Sequence, residues 1–189
     1  VELAREGARR AGDERAEQRA EAVLGLLHHG RGNLALAEAR YTRALDLAHR
    51  LGDARTQAHA LRDLGNLALQ RGEHDRALAF YQDALELAHG GDHRLEGVVR
   101  GNLAILRQER GELDDAVSEL KRALTCLRAV GDRPFEGQLL GYLGAVQHER
   151  GQIDVAADAY ARAIAILREV RDVRLEGLFL AARASALAL

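Results

Sequence analysis

The chain is poor in the residues that mark secreted, membrane-bound or nucleic-acid-binding proteins. Its 189 residues include one cysteine, one proline, and no tryptophan or methionine. A single cysteine excludes an internal disulfide framework and fits a reducing compartment, so a cytoplasmic protein is expected. One proline leaves long helices uninterrupted. Aromatics are 4% of the chain, and the formal net charge is -2 with 30% charged residues. With no basic stripe and few rings for bases to stack on, nucleic acid is excluded as the main partner. No apolar run approaches the roughly 18 residues of a membrane span, and no charged-then-apolar leader is present, so no membrane partner is expected. Methionine is missing even at position 1, and the chain reads as a processed or excised piece of something longer.

What is present is alanine, leucine and a repeat. Hydrophobic residues make up 47%, the composition of closely packed helices. Arg-Gly recurs at Gly32, Gly72, Gly111 and Gly151, at spacings of 40, 39 and 40. Gly-Asp recurs at Gly12-Asp13, Gly52-Asp53, Gly91-Asp92 and Gly131-Asp132, and survives as Arg171-Asp172. Self-similarity at such a period is the signature of a solenoid. Each unit reads as two helices. Ala60, Leu64 and Leu67 share one helical face, and the helix should stop at Arg71-Gly72. Ala77, Leu78, Tyr81, Ala84, Leu85 and Ala88 form the stripe of the next, which should stop at Gly90-Gly91. Asp53, Asp92 and Asp132 fall at N-caps, and Pro134 in a first turn. Short loops make consecutive helices antiparallel. The predicted boundaries are an orphan second helix at 1–13, units at 14–52, 53–91, 92–131 and 132–171, and an orphan first helix at 172–189, all in one array.

These residues resemble the tetratricopeptide repeat (TPR). Leu24-Gly25, Leu64-Gly65 and Leu143-Gly144 match the family's first-helix signature, with Leu103-Ala104 close to it. Ala37, Ala77, Ala116 and Ala156 follow, then Tyr41, Tyr81 and Tyr160 with Leu120 as the exception, then Ala44, Ala84, Ala123 and Ala163. No tryptophan opens a unit and no proline closes one. The period is that of the longer units similar to kinesin light chains, spindle-orientation adaptors and large bacterial signalling proteins. The resemblance implies an all-α, right-handed superhelical solenoid of antiparallel hairpins, with the first helices lining its concave side.

Several residues invite a chemical reading. Glu96-Gly97, Glu136-Gly137 and Glu176-Gly177 recur, followed by Gly101, Gly141 and Ala181. Glycine inside a helix costs about 1 kcal/mol relative to alanine. Close contact between helices offsets that cost in one reading, and a smooth groove floor in the other. Neither a GxGxxG after a strand nor a GxxxxGK[ST] occurs. His28 and His29 are adjacent and diverge, while Gly90-Gly91 separates His89 from His93. Without HExxH or a Cys-His cluster in sequence, no metal and no cofactor are expected. Cys126 aligns with Leu47, Leu87 and Ile166 and reads as a small core residue. Asp75, Asp114 and Asp154 fall in the first turn of each second helix, where the dipole favours negative charge, and a repeated capping role explains them better than acid–base catalysis. No nucleophile–base spacing is found, and no enzyme is expected.

The groove is sketched by the resemblance. TPR modules that grip a C-terminal carboxylate use basic and asparagine side chains on successive first helices. The corresponding positions here hold Arg62, Asn66 and Asn102, but the next helix offers Gln138 and Tyr142, so the clamp is incomplete. His29, His59, Gln70, Gln108, Glu109, His148 and Glu149 complete a polar, mixed-charge lining. The expected function is a scaffold that binds a peptide or helical segment of a protein partner in this groove. The alternatives are a ligand- or peptide-sensing regulatory domain of a larger bacterial signalling or transcription-regulating protein, and end-to-end self-association. For the last, Leu178, Phe179, Leu180, Leu187 and Leu189 form an apolar face without a covering helix.

Overall fold

The computed structural model describes residues 1–88 and 91–188. Among the described residues every regular element is an α-helix: α1 (Glu2–Ala11), α2 (Glu14–Gly30), α3 (Leu34–Arg50), α4 (Ala54–Gln70), α5 (His74–Ala88), α6 (His93–Glu109), α7 (Leu113–Ala129), α8 (Arg133–Glu149), α9 (Ile153–Glu169) and α10 (Val173–Leu187). The chain divides into two compact units, Val1–Gly91 and Asp92–Leu189. In the first, hairpins α2–α3 and α4–α5 pack on each other and α1 packs on α2. In the second, α6–α7 packs on α8–α9, and α10 packs on α9. The expected stop at Gly90, the reading of His89 and the end-face residue Leu189 lie outside the described residues.

The helix ends carry their own signals. Asp13, Asp53, Asp92, Asp132 and Asp172 each accept a hydrogen bond from a first-turn backbone amide of α2, α4, α6, α8 and α10. Three of the second helices do without this. Asn33, Glu112 and Gln152 stand at the N-caps of α3, α7 and α9 and make no side-chain cap bond. Asp75, Asp114 and Asp154 lie at the start of the second helices, as expected. These residues sit in the first turn, past the cap, where negative charge meets the helix dipole. The Arg-Gly turns close as expected. Gly72 adopts φ 72°, and the Glu73 amide donates back to the Ala68 carbonyl at 2.9 Å. Arg171 is forced to φ 60° at a position glycine fills in the other repeats.

Packing explains the repeated Leu-Gly and the aromatic together. A Cβ added to Gly65 would lie 2.5 Å from the Tyr81 ring, and Gly25 and Gly144 face Tyr41 and Tyr160 in the same way. The glycine of each first helix makes room for the tyrosine of its own second helix. The two departures in the third repeat are one compensated exchange. Leu120 replaces the ring, and Ala104 replaces the glycine in front of it, both fully buried in one cluster.

The other helical glycines also mark close approach. Gly97 faces Leu127 and the Ala123 carbonyl, Gly101 faces Leu139, and Gly137 faces Ile166 and Leu167. Gly141 lies against the Phe179 ring, which is itself 3% exposed and set edge-on to Tyr142. Phe179 is thus a core residue and not part of an exposed end face, while Leu178, Leu180 and Leu187 are exposed. Gly177 meets nothing within 4 Å. The same substitution should therefore act with opposite sign at the two sites. Gly177→Ala is expected to stabilise by up to about 1 kcal/mol through helix propensity. Gly141→Ala is expected to destabilise by about 1–3 kcal/mol, because a confined ring must move. Urea denaturation of both variants checks the signs.

Candidate functional site: the first-helix face

Register from the capping aspartates places the expected groove residues. His59 and Gln138 each lie six residues after their cap, Asp53 and Asp132. Asn102 and Tyr142 lie ten after Asp92 and Asp132, in step with Asp63. Positions six and ten fall on one face of a helix. Arg62 lies nine after Asp53, where Gly101 and Gly141 stand in later repeats. In the second unit α8 contacts both α6 and α10, so the first helices form a contiguous layer there.

The first unit brings His59, Arg62 and Asn66 together on α4, each half-buried. The Arg62 guanidinium donates to Asp63 at 2.7 Å and lies 3.4 Å from His59 Nδ1. Asn66 Oδ1 accepts a hydrogen bond from the buried Tyr81 hydroxyl at 2.8 Å. Asn66 is therefore tied to the core as well as to the face, which repeat spacing alone did not show.

In the second unit Gln138 Nε2 donates to the Tyr142 hydroxyl at 3.0 Å, and Asn102 sits half-buried on α6. Tyr142 reaches the core through Phe179. Gln108 Nε2 donates to Glu149 at 2.8 Å, and His148 is half-buried beside it in sequence. The first unit holds the matching contact, His29 to Gln70 at 2.9 Å. These two contacts occupy the same repeat positions. They link the C-terminal ends of neighbouring first helices like rungs. Glu109 is exposed at the end of α6.

Charged pairs the sequence did not reveal tie the hairpins together. Glu17, Glu21, Glu96 and Glu136 are buried, and each meets an arginine. Arg43 on α3 donates to Glu17 at 2.9 Å, and Arg40 to Glu21 at 3.3 Å. Arg100 lies between Glu96 and Glu119, at 2.9 Å from both. Arg128 and Arg133 each reach Glu136 at 2.7 Å. Burial raises the Glu136 carboxyl, but hydrogen bonds from these two arginines outweigh it and hold the group below its ordinary value. The repeated arginine of Arg-Gly also gains a reason. Arg71 pairs with Glu38 and Arg150 with Asp114, each on the preceding second helix.

The groove residues do not line a crevice found in the first unit. That crevice, ≈ 700 Å³, lies between α3 and α4 and is walled by Arg43, Asp46, His49, Arg50 and Gln57. Elsewhere the fold brings His93, Glu96 and Cys126 within 4.8 Å of one another, a Cys-His grouping hidden in the sequence. Cys126 is half-buried, and burial, followed by the Glu96 carboxylate, pushes its thiol up. No helix among the described residues is long and apolar enough to cross a membrane.

Comparison with known proteins decides the family. The tetratricopeptide repeat family model matches residues 18–89, 56–129 and 95–169. The chain belongs to the tetratricopeptide repeat family. The crystal structure of BtubC (BKLC) from P. vanneervenii is similar at TM-score 0.84 and 21% identity, with 99% of this chain aligned to 81% of that one. The apo form of RapI is similar at TM-score 0.79 and 17% identity, with 86% of this chain aligned to 60% of that one. At these identities the two structures show a shared TPR fold. No curated protein matches. TPR arrays generally serve as non-enzymatic scaffolds for protein–protein interaction.

Proposed function

We propose that this TPR chain is a scaffold that grips a peptide or helical segment of a protein partner on its first-helix face, without catalysing a reaction. The observation that carries the reading is a half-buried polar cluster on the first helices of each unit. It comprises His59, Arg62 and Asn66 in one unit and Asn102, Gln138 and Tyr142 in the other. Half-buried polar groups on rigid helices can hold a peptide main chain with little loss of side-chain freedom on binding. Gln108 and His148 lie near the C-terminal ends of α6 and α8 in the second unit.

The test starts from a phage-displayed peptide library selected on the immobilised chain. The affinity of an enriched peptide is then measured by fluorescence anisotropy. Arg62→Glu and Asn102→Ala are each expected to weaken binding at least tenfold, since a hydrogen bond to a charged group is worth about 1.5–3 kcal/mol. Arg43 is unsuitable as a control because it holds buried Glu17. Exposed second-helix positions Gln82→Glu and Lys121→Glu serve instead and should change little. Failure to enrich any peptide, or loss of binding in the control variants alone, overturns the reading. The rungs His29–Gln70 and Gln108–Glu149 favour a sensing role as the second reading. Each is a single exposed hydrogen bond that a ligand could break as the repeats shift.

A further inference from the structure

We propose that His93, Glu96 and Cys126 form a site for a divalent transition metal of the zinc class, which joins α6 to α7. The three residues offer nitrogen, carboxylate oxygen and sulfur, all within 4.8 Å of one another. A tetrahedral zinc ion with Zn–S near ~2.3 Å and Zn–N or Zn–O near ~2.0–2.2 Å sets its ligands roughly 3.3–3.6 Å apart. Closing the site therefore takes a side-chain adjustment of about an ångström. His93 is exposed at the first position of α6 and has room to swing, while Glu96 is buried and held.

The carboxylate is already arranged for the task. Arg100 donates twice to Glu96 Oε1, at 3.0 and 2.9 Å. Oε2 is left toward the His93 ring, with Nδ1 at 3.8 Å. An outer partner that fixes a ligating carboxylate is a regular part of metal sites. The charges also balance. The Cys126 thiol releases its proton to solvent on binding, so thiolate and carboxylate offset the two positive charges of the ion. Arg100 keeps its own counter-charge in Glu119 at 2.9 Å. The thiolate favours zinc over magnesium or calcium, and the exposed side of His93 leaves the fourth position to water.

The repeat scaffold does not account for this grouping. The other repeats carry Leu47, Leu87 and Ile166 at the cysteine position, and Glu14, Ala54, Arg133 and Val173 at the histidine position. Only the third repeat combines the three donors. Sequence spacing hid them, because His93 and Glu96 are one helical turn apart and Cys126 arrives from the next helix.

The test titrates the reduced, metal-free chain with cobalt(II) chloride and then with zinc chloride. One equivalent of cobalt is expected to give a thiolate-to-cobalt charge-transfer band and the visible bands of a tetrahedral ion, both bleached by one equivalent of zinc. The charge-transfer band can arise only from Cys126, the sole cysteine. Zinc affinity is expected to fall at least tenfold in Cys126→Ser and in His93→Ala. The second variant changes an exposed side chain and keeps the test valid if the first fails to fold. A saturating cobalt spectrum without the thiolate band, zinc affinity unchanged in His93→Ala, or two chains per cobalt would each overturn the site. Peptide binding on the first-helix face is untouched by any of these outcomes.

Discussion

Truncating Tyr81 to alanine is expected to cost about 3–5 kcal/mol, among the largest losses from a single side chain in this fold. Tyr81 is fully buried, and its ring fills the space opened by Gly65 on the facing helix. Removing the ring leaves a cavity that two packed helices cannot collapse into, because the glycine supplies no side chain to move. The hydroxyl contributes less. Tyr81→Phe loses one donation to Asn66 and should cost only about 1 kcal/mol. Urea denaturation of both variants separates ring from hydroxyl. A Tyr81→Ala loss no larger than that of Tyr81→Phe would show that the Gly–Tyr contact does not hold the hairpin.

Arg100→Ala should be the most damaging charge removal. Its guanidinium sits between Glu96 and Glu119, and all three side chains are largely shielded from water, at 14%, 12% and 12% exposure. Without it, two carboxylates remain close and half-desolvated. Breaking a fully buried pair costs about 3–5 kcal/mol, and the remaining exposure lowers the expectation here to about 2–4 kcal/mol. Arg10→Ala removes an exposed pair with Glu6 and should leave the denaturation midpoint unchanged. Equal midpoint shifts for the two variants would argue that the Arg100 pairing adds nothing beyond a surface contact.

Legibility in the sequence followed how local each signal is. The ends of α4, α6 and α8 could be placed because aspartate caps, left-handed glycines and Arg-Gly turns each act within a few residues of the terminus they define. The Leu-Gly and tyrosine positions were readable because both recur at fixed repeat spacing. Their physical link emerged only when each glycine was found facing its tyrosine ring. The face residues were located but their attachments were not. Nothing in the spacing says that Asn66 accepts from Tyr81 or that Arg62 leans on Asp63, since those depend on rotamers. Pairs such as Arg43–Glu17 and Arg71–Glu38 join residues 26 and 33 apart on different helices. The metal-type grouping at Cys126 escaped for the same reason. The second-helix aspartates were legible because a first-turn carboxylate answers only to the dipole of its own helix.

Seven of the ten helices among the described residues run the same 17 residues, and each is closed by a stop signal that does not depend on its neighbours. The gene segment encoding one hairpin therefore behaves as an interchangeable part. A duplication cut at the capping aspartates would insert a hairpin of matching thickness, with its own turns and its own glycine–tyrosine lock. Such a chain can change its length in steps of about forty codons without redesigning any joint. A variation confined to one repeat, such as the exchange of Tyr and Gly for Leu120 and Ala104, can drift there while the others keep their form.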